Sequence, residues 1–153
     1  MKTSLRYIFI ICFLFLIFGQ SAEAQILQTR SEVLSAHGTP FSEGVSESGE
    51  NYLFYKTPVK TKASGEYEQR KVLFFKKFKD GNETCYKWQI LEPSSETKHN
   101  MLSFTRNLVQ TGDMQWKDYA KGIVYSMELV NGVCAITAQY DEEVSLAKVY
   151  KMN

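Results

Sequence analysis

The sequence predicts an α+β two-layer sandwich, in which two helices pack on a mainly antiparallel sheet of five to seven strands. Three observations predict it. Strand-like runs with one apolar face are bounded by turn dipeptides, two segments carry helical signals, and the order is helix, three strands, helix, two or three strands. An antiparallel sheet with one apolar face needs a cover, and helices supply it. The same order divides into two α-β-β(-β) halves.

Taken in order, the chain opens on the three parts of an export signal. Lys2 and Arg6 are positive, Tyr7 to Phe18 is unbroken apolar sequence, and Ala22 and Ala24 are the small residues of a cleavage site before Gln25. A span needs roughly 18 or more apolar residues, and this stretch is shorter. Ile11 is too bulky beside Cys12 for a lipoprotein signal. The expectation is a leader over 1–24 and a single α+β domain over 25–153, released to the periplasm or the exterior.

Thr29-Arg30-Ser31-Glu32 is a capping box, so a short helix carrying Val33 and Leu34 begins there and stops at Gly38-Thr39-Pro40. The Gly- and Ser-rich stretch from Ser42 to Glu50 reads as a loop. Strands follow at Tyr52 to Thr57, Gln69 to Lys79 and Thr84 to Glu92, with Asp80-Gly81 as a tight turn. Ser94-Ser95 caps a second helix over Glu96 to Gln110, whose stripe is Met101, Phe104 and Leu108 with Leu102 beside it. Gln115 to Ala120, Ile123 to Val130 and Val133 to Asp141 read as strands, the last two joined by Asn131-Gly132. A final strand is expected over 146–150.

The run from Arg30 to Pro40, followed by Asn51-Tyr52-Leu53-Phe54-Tyr55, resembles the opening of BamE/SmpA-type and β-lactamase-inhibitor-protein-like modules. These are small exported α+β domains with a short helix, a Gly-x-Pro stop and a Tyr-bearing strand. The chain as a whole is similar to exported proteins of bacteria. His37 stands where such modules carry Leu. The resemblance implies a scaffold that contacts another protein.

Charge is balanced, with 18 Lys+Arg against 17 Asp+Glu; a leader containing Lys2, Arg6 and Glu23 would leave 16 of each. That balance argues against a nucleic-acid binder. Two cysteines remain after the leader. Strand alternation puts Cys85 on the face opposite Trp88 and Cys134 on the apolar face, so two free thiols are expected. His37 and His99 have no partner at ligand spacing, and no phosphate loop, nucleophile elbow or calcium loop occurs. No catalytic residue, metal or cofactor is assigned. Asn82-Glu83-Thr84 is a glycosylation sequon, meaningful only in a eukaryotic host.

The basic stretch from Lys56 to Lys79 is interleaved with aromatic residues, which suits an acidic protein, a polysaccharide or anionic headgroups. Its bland reading is a half-buried strand with lysines guarding an edge. The binding residues expected are Lys71, Phe75, Lys77, Lys79 and Tyr55. Tyr52, Phe54 and Tyr55 cannot all point inward, so one side of their strand shows a ring to solvent. The functional expectation is a non-catalytic exported module that holds a protein partner on a sheet face or a lysine-rich edge. The alternatives are a small secreted enzyme or ligand carrier with a cleft lined by Trp88 and Trp116, and an inhibitor of a secreted enzyme.

Overall fold

The computed structural model describes residues 25–145. The leader over 1–24 and the expected strand over 146–150 lie outside the described residues.

Alternating apolar residues and tight turns produce more sheet than expected. Helix α1 (Arg30–His37) precedes β1 (Ser42–Val45), β2 (Asn51–Thr61), β3 (Gly65–Lys77) and β4 (Glu83–Pro93). A 3₁₀ turn (Ser94–Glu96) and α2 (Thr97–Asn107) precede β5 (Val109–Gly112), β6 (Gln115–Asp118), β7 (Ile123–Val130) and β8 (Val133–Tyr140). All eight strands form one antiparallel sheet in the order β1-β2-β3-β4-β8-β7-β6-β5. Each four-stranded meander follows a helix, and the two meanders join where β4 pairs with β8.

This corrects the expected sandwich of two helices on five to seven strands. The molecule is mainly an eight-stranded sheet with short helices, because both edge strands escaped the sequence pattern. β1 is Ser-Glu-Gly-Val, with no apolar alternation, and is strand only through its ladder to Asn51–Phe54 of β2. β5 was expected to be the end of the second helix. Leu108 instead turns extended (φ −129°, ψ 164°) after its N–H bonds to the Phe104 carbonyl, and Val109 starts a ladder with β6.

The capping box at Thr29 forms. Glu32 N–H donates to Thr29 Oγ1 at 3.3 Å, and Thr29 N–H donates to Glu32 Oε2 at 2.7 Å. That start aims Val33, fully buried, at the sheet. No side chain caps α2, which is entered through the 3₁₀ turn after Pro93. Both helices lie on the same face. Val33, Leu34, Met101, Phe104 and Leu108 belong to one cluster with Leu53, Leu73, Trp88, Tyr125 and Trp116. Leu102, expected near the stripe, is half exposed, and Leu129, expected inward, is exposed at the end of β7.

One irregularity decides which face several side chains share. Phe74 pairs with Lys87 but Phe75 pairs with Cys85, so Tyr86 is an extra residue in a β-bulge. The bulge reverses the alternation of β4 on its N-terminal side. Cys85 therefore faces inward with Trp88, contrary to the expectation of opposite faces, while Tyr86, only 9% exposed, falls outside the core cluster.

Candidate functional surface

Register shows how unlike the two faces of the sheet are. The row Leu53, Leu73, Trp88, Ala138, Tyr125 and Trp116 runs through six consecutive strands, and none of the six is more than 2% exposed. The adjacent row, one residue along each strand, is Tyr52, Phe74, Lys87, Gln139, Val124 and Lys117. A one-residue step reverses the face, and every residue in this second row retains solvent contact. Among the described residues both helices cover the first face, and neither packs on the second.

The uncovered face carries rings and ammonium groups in contact. Lys87 Nζ lies 4.3 Å from the Phe74 ring centroid and 5.4 Å from that of Tyr86. Lys76 Nζ lies 4.7 Å from Tyr86 and 4.9 Å from Phe78, so the bulged Tyr86 sits between two cations. Lys56 Nζ lies 4.1 Å above Phe41, whose ring is 65% exposed and meets Phe54 edge-on at 5.7 Å. Lys87 reaches Glu50 at 3.5 Å and Lys56 reaches Glu68 at 3.3 Å. Among the described residues, no carboxylate is within ion-pair distance of Lys76, Lys77 or Lys79. Across β4, β8 and β7 the face continues with the polar side chains of Gln89, Thr137, Gln139 and Ser126, beside Leu91, Ala135, Val124 and, towards the end of β7, the exposed carboxylate of Glu128.

The five residues expected to bind do not share this surface. Phe75 is a core residue, 2% exposed. Tyr55 and Lys71 pair across β2 and β3 on the helix-covered side, where Tyr55 Oη donates to the Gly38 carbonyl at 3.3 Å. Lys71 Nζ lies 5.2 Å from the Trp88 ring, and burial pulls its pKa down to about 8. Lys77 and Lys79 are exposed beside the β3–β4 turn. β3 lies between β2 and β4, so its lysines guard no edge. The guarded edge belongs to β2. Past Phe54, β1 ends, and Lys56, Pro58 and Lys60 occupy the exposed rim beside a groove of about 670 Å³. Pro58 has no N–H to offer an incoming strand there.

Phe74 and Lys76 lie in the basic stretch from Lys56 to Lys79 but outside the expected binding set, and Phe41, Tyr86 and Lys87 lie outside both. The alternation Tyr52-x-Phe54-x-Lys56 was available, but the bulge at Tyr86 left no mark in the residue pattern.

The covered side holds a polar network at the far end of the β2–β3 hairpin. Glu92 accepts from Tyr67 Oη at 3.2 Å, Gln69 Nε2 at 2.5 Å and Asn100 Nδ2 at 2.7 Å. Glu96 accepts from Ser64 Oγ at 2.5 Å and from Thr61 Oγ1, bonds that hold its carboxyl below the ordinary glutamate range. These contacts tie the hairpin tip to the turn before α2. All the donors are neutral and belong to the chain itself, which is an anchoring arrangement.

The thiols are poor nucleophiles. Burial pushes Cys85 up to about 12, and it also raises Cys134. Neither histidine is hydrogen-bonded to a thiol; His37 Nε2 accepts from the Gln25 side-chain amide at 2.6 Å. Trp88 and Trp116 are core residues, so they line no open cleft. No family model, curated protein or solved structure matches the chain.

Proposed function

We propose that the chain is an exported, non-catalytic binding module whose ligand-contacting surface is the uncovered face of the sheet around Phe41, Tyr52, Phe54 and Phe74, with Lys56, Lys76 and Lys87. One observation carries the reading. The row Leu53 to Trp116 is sealed under helices, while its neighbour from Tyr52 to Lys117 keeps rings and cations in partial contact with solvent. Exposed aromatic surface has a cost that a ligand-contacting role offsets. The resemblance of the opening segment to protein-contacting modules points the same way.

Export rests on the leader-like residues 1–24. Intact mass of the protein recovered from its native host tests it: a chain beginning at Gln25 supports export, and a retained Met1 opposes it.

The surface is tested by capture from the native envelope or secretion fraction, using the wild type beside a Phe41→Ser, Lys76→Glu variant. Both side chains are exposed, so the variant should fold. Loss of the captured species with an unchanged melting midpoint supports the open face. Capture that survives this variant but fails with Lys98→Glu on α2 would move the site to the helical side.

A further inference from the structure

We infer that the ligand of the open face is an acidic polysaccharide, a hydroxyl-rich sugar chain bearing carboxylate or sulfate groups. The inference rests on the open-face reading above and adds the chemistry of the ligand.

Three lysines on this face, Lys56, Lys76 and Lys87, make five cation–π contacts. Each lysine stem is laid against a ring, and its ammonium is held before any ligand arrives. A ligand then has less side-chain freedom to freeze on binding. The lysines also occupy positions over the rings of Phe74, Tyr86 and Phe41, which leaves less ring face for stacking a neutral sugar. The ammonium groups themselves are what the surface displays.

Around the β3–β4 turn Lys76, Lys77 and Lys79 stand against Asp80 and Glu83, an excess of one positive charge. Asp80 is engaged within its own turn, accepting from the Asn82 backbone at 3.0 Å and from its side-chain amide at 3.0 Å. Glu83 accepts from the Asn51 amide. Lys76, Lys77 and Lys79 are left without a carboxylate among the described residues. An anion lying along the face from Lys76 to Lys56 meets several cations and displaces the 3.5 Å Lys87–Glu50 and 3.3 Å Lys56–Glu68 pairs.

The other half of the face selects among anions. Gln89, Thr137, Gln139 and Ser126 offer amides and hydroxyls, spaced across β4, β8 and β7. Such groups match the hydroxyls of a sugar chain. Gln89 Nε2 already donates to Thr137 Oγ1 at 3.4 Å; a lipid surface would leave Gln139 and Ser126 unmatched, and an acidic polypeptide brings carboxylates with few hydroxyls. The face is open and extends over several strands, which fits a polymer better than a single sugar.

The test is titration of the full protein with polygalacturonate and with dextran sulfate, against neutral dextran, polyglutamate and phosphatidylglycerol vesicles. Binding to at least one acidic polysaccharide is expected, weakening as salt rises. Neutral dextran should not bind, and polyglutamate and the vesicles should bind at least tenfold more weakly. Lys76→Gln with Lys87→Gln should reduce affinity for the polymer at least tenfold with an unchanged melting midpoint, while Lys98→Gln should not. Equal or tighter binding of polyglutamate or vesicles through the same two lysines overturns the polysaccharide and leaves the open face standing. No response of any anion to the Lys76 and Lys87 changes overturns the inference, and the open-face reading falls with it if native capture is equally unaffected.

Discussion

Cys85 and Cys134 lie on neighbouring strands and on the same buried face, yet at opposite ends of β4. Cys134 pairs with Glu92, seven positions along β4 from Cys85. At about 3.3 Å per residue the two are about 20 Å apart, far beyond disulfide reach. Both should stay reduced in the purified protein. Alkylation should be slow in the native protein and reach two thiols once it is denatured without reductant. A native mass two units low, with no alkylation on denaturation, would show a different register.

The core prediction follows from the sealed row. Trp88 is 2% exposed and meets Tyr125 edge-on at 6.2 Å. Trp88→Ala should cost about 3–5 kcal/mol, read as a large drop in denaturant midpoint. Lys77→Ala, on an exposed side chain, should shift it by less than about 0.5 kcal/mol.

Two of the element boundaries were legible for a physical reason, and two were not. The Thr29 capping box and the Asn131-Gly132 turn are local chemistry, fully written in adjacent residues, and both formed. β1 and β5 are edge strands defined by their neighbours' ladders, so Ser42–Val45 carried no apolar alternation to read. The bulge opposite Phe74 and Phe75 is also a property of pairing, and it alone moved Cys85 inward and Tyr86 outward. The expected binding set failed separately, because Lys71 and Phe75 alternate with buried Leu73 and so share the helix-covered side of β3.

Gly122 should resist substitution. Its φ of +67° lies in the left-handed region, and an added Cβ would come 2.6 Å from Ser145 Cβ. Gly122→Ala should lower stability by more than about 1 kcal/mol, measured by urea unfolding. Gly81→Ala, also left-handed but with open space around it, should cost less.

Stability should depend on pH at both extremes. Hydrogen bonds from Ser64 and Thr61 lower the pKa of Glu96, so its contribution is present above the unfolded-state value and is lost as pH falls through the folded one. Glu96→Gln should flatten the acid side of the stability curve. Burial of Lys71 does the reverse on the alkaline side. Its folded pKa of about 8 lies below the unfolded value, so this group adds stability as pH rises from about 8 towards the ordinary lysine range near 10.4. Lys71→Met should remove that rise, as read from urea midpoints at pH 7, 8.5 and 9.5.

Lysine footprinting by brief acetylation and mass spectrometry tests the central claim most directly, with and without the native fraction that supplies the ligand. Lys76 and Lys87 on the open face should be protected on binding, while Lys98 on α2 reacts as before. Protection of Lys98 with Lys76 and Lys87 unchanged would place the ligand on the helical side and contradict the account.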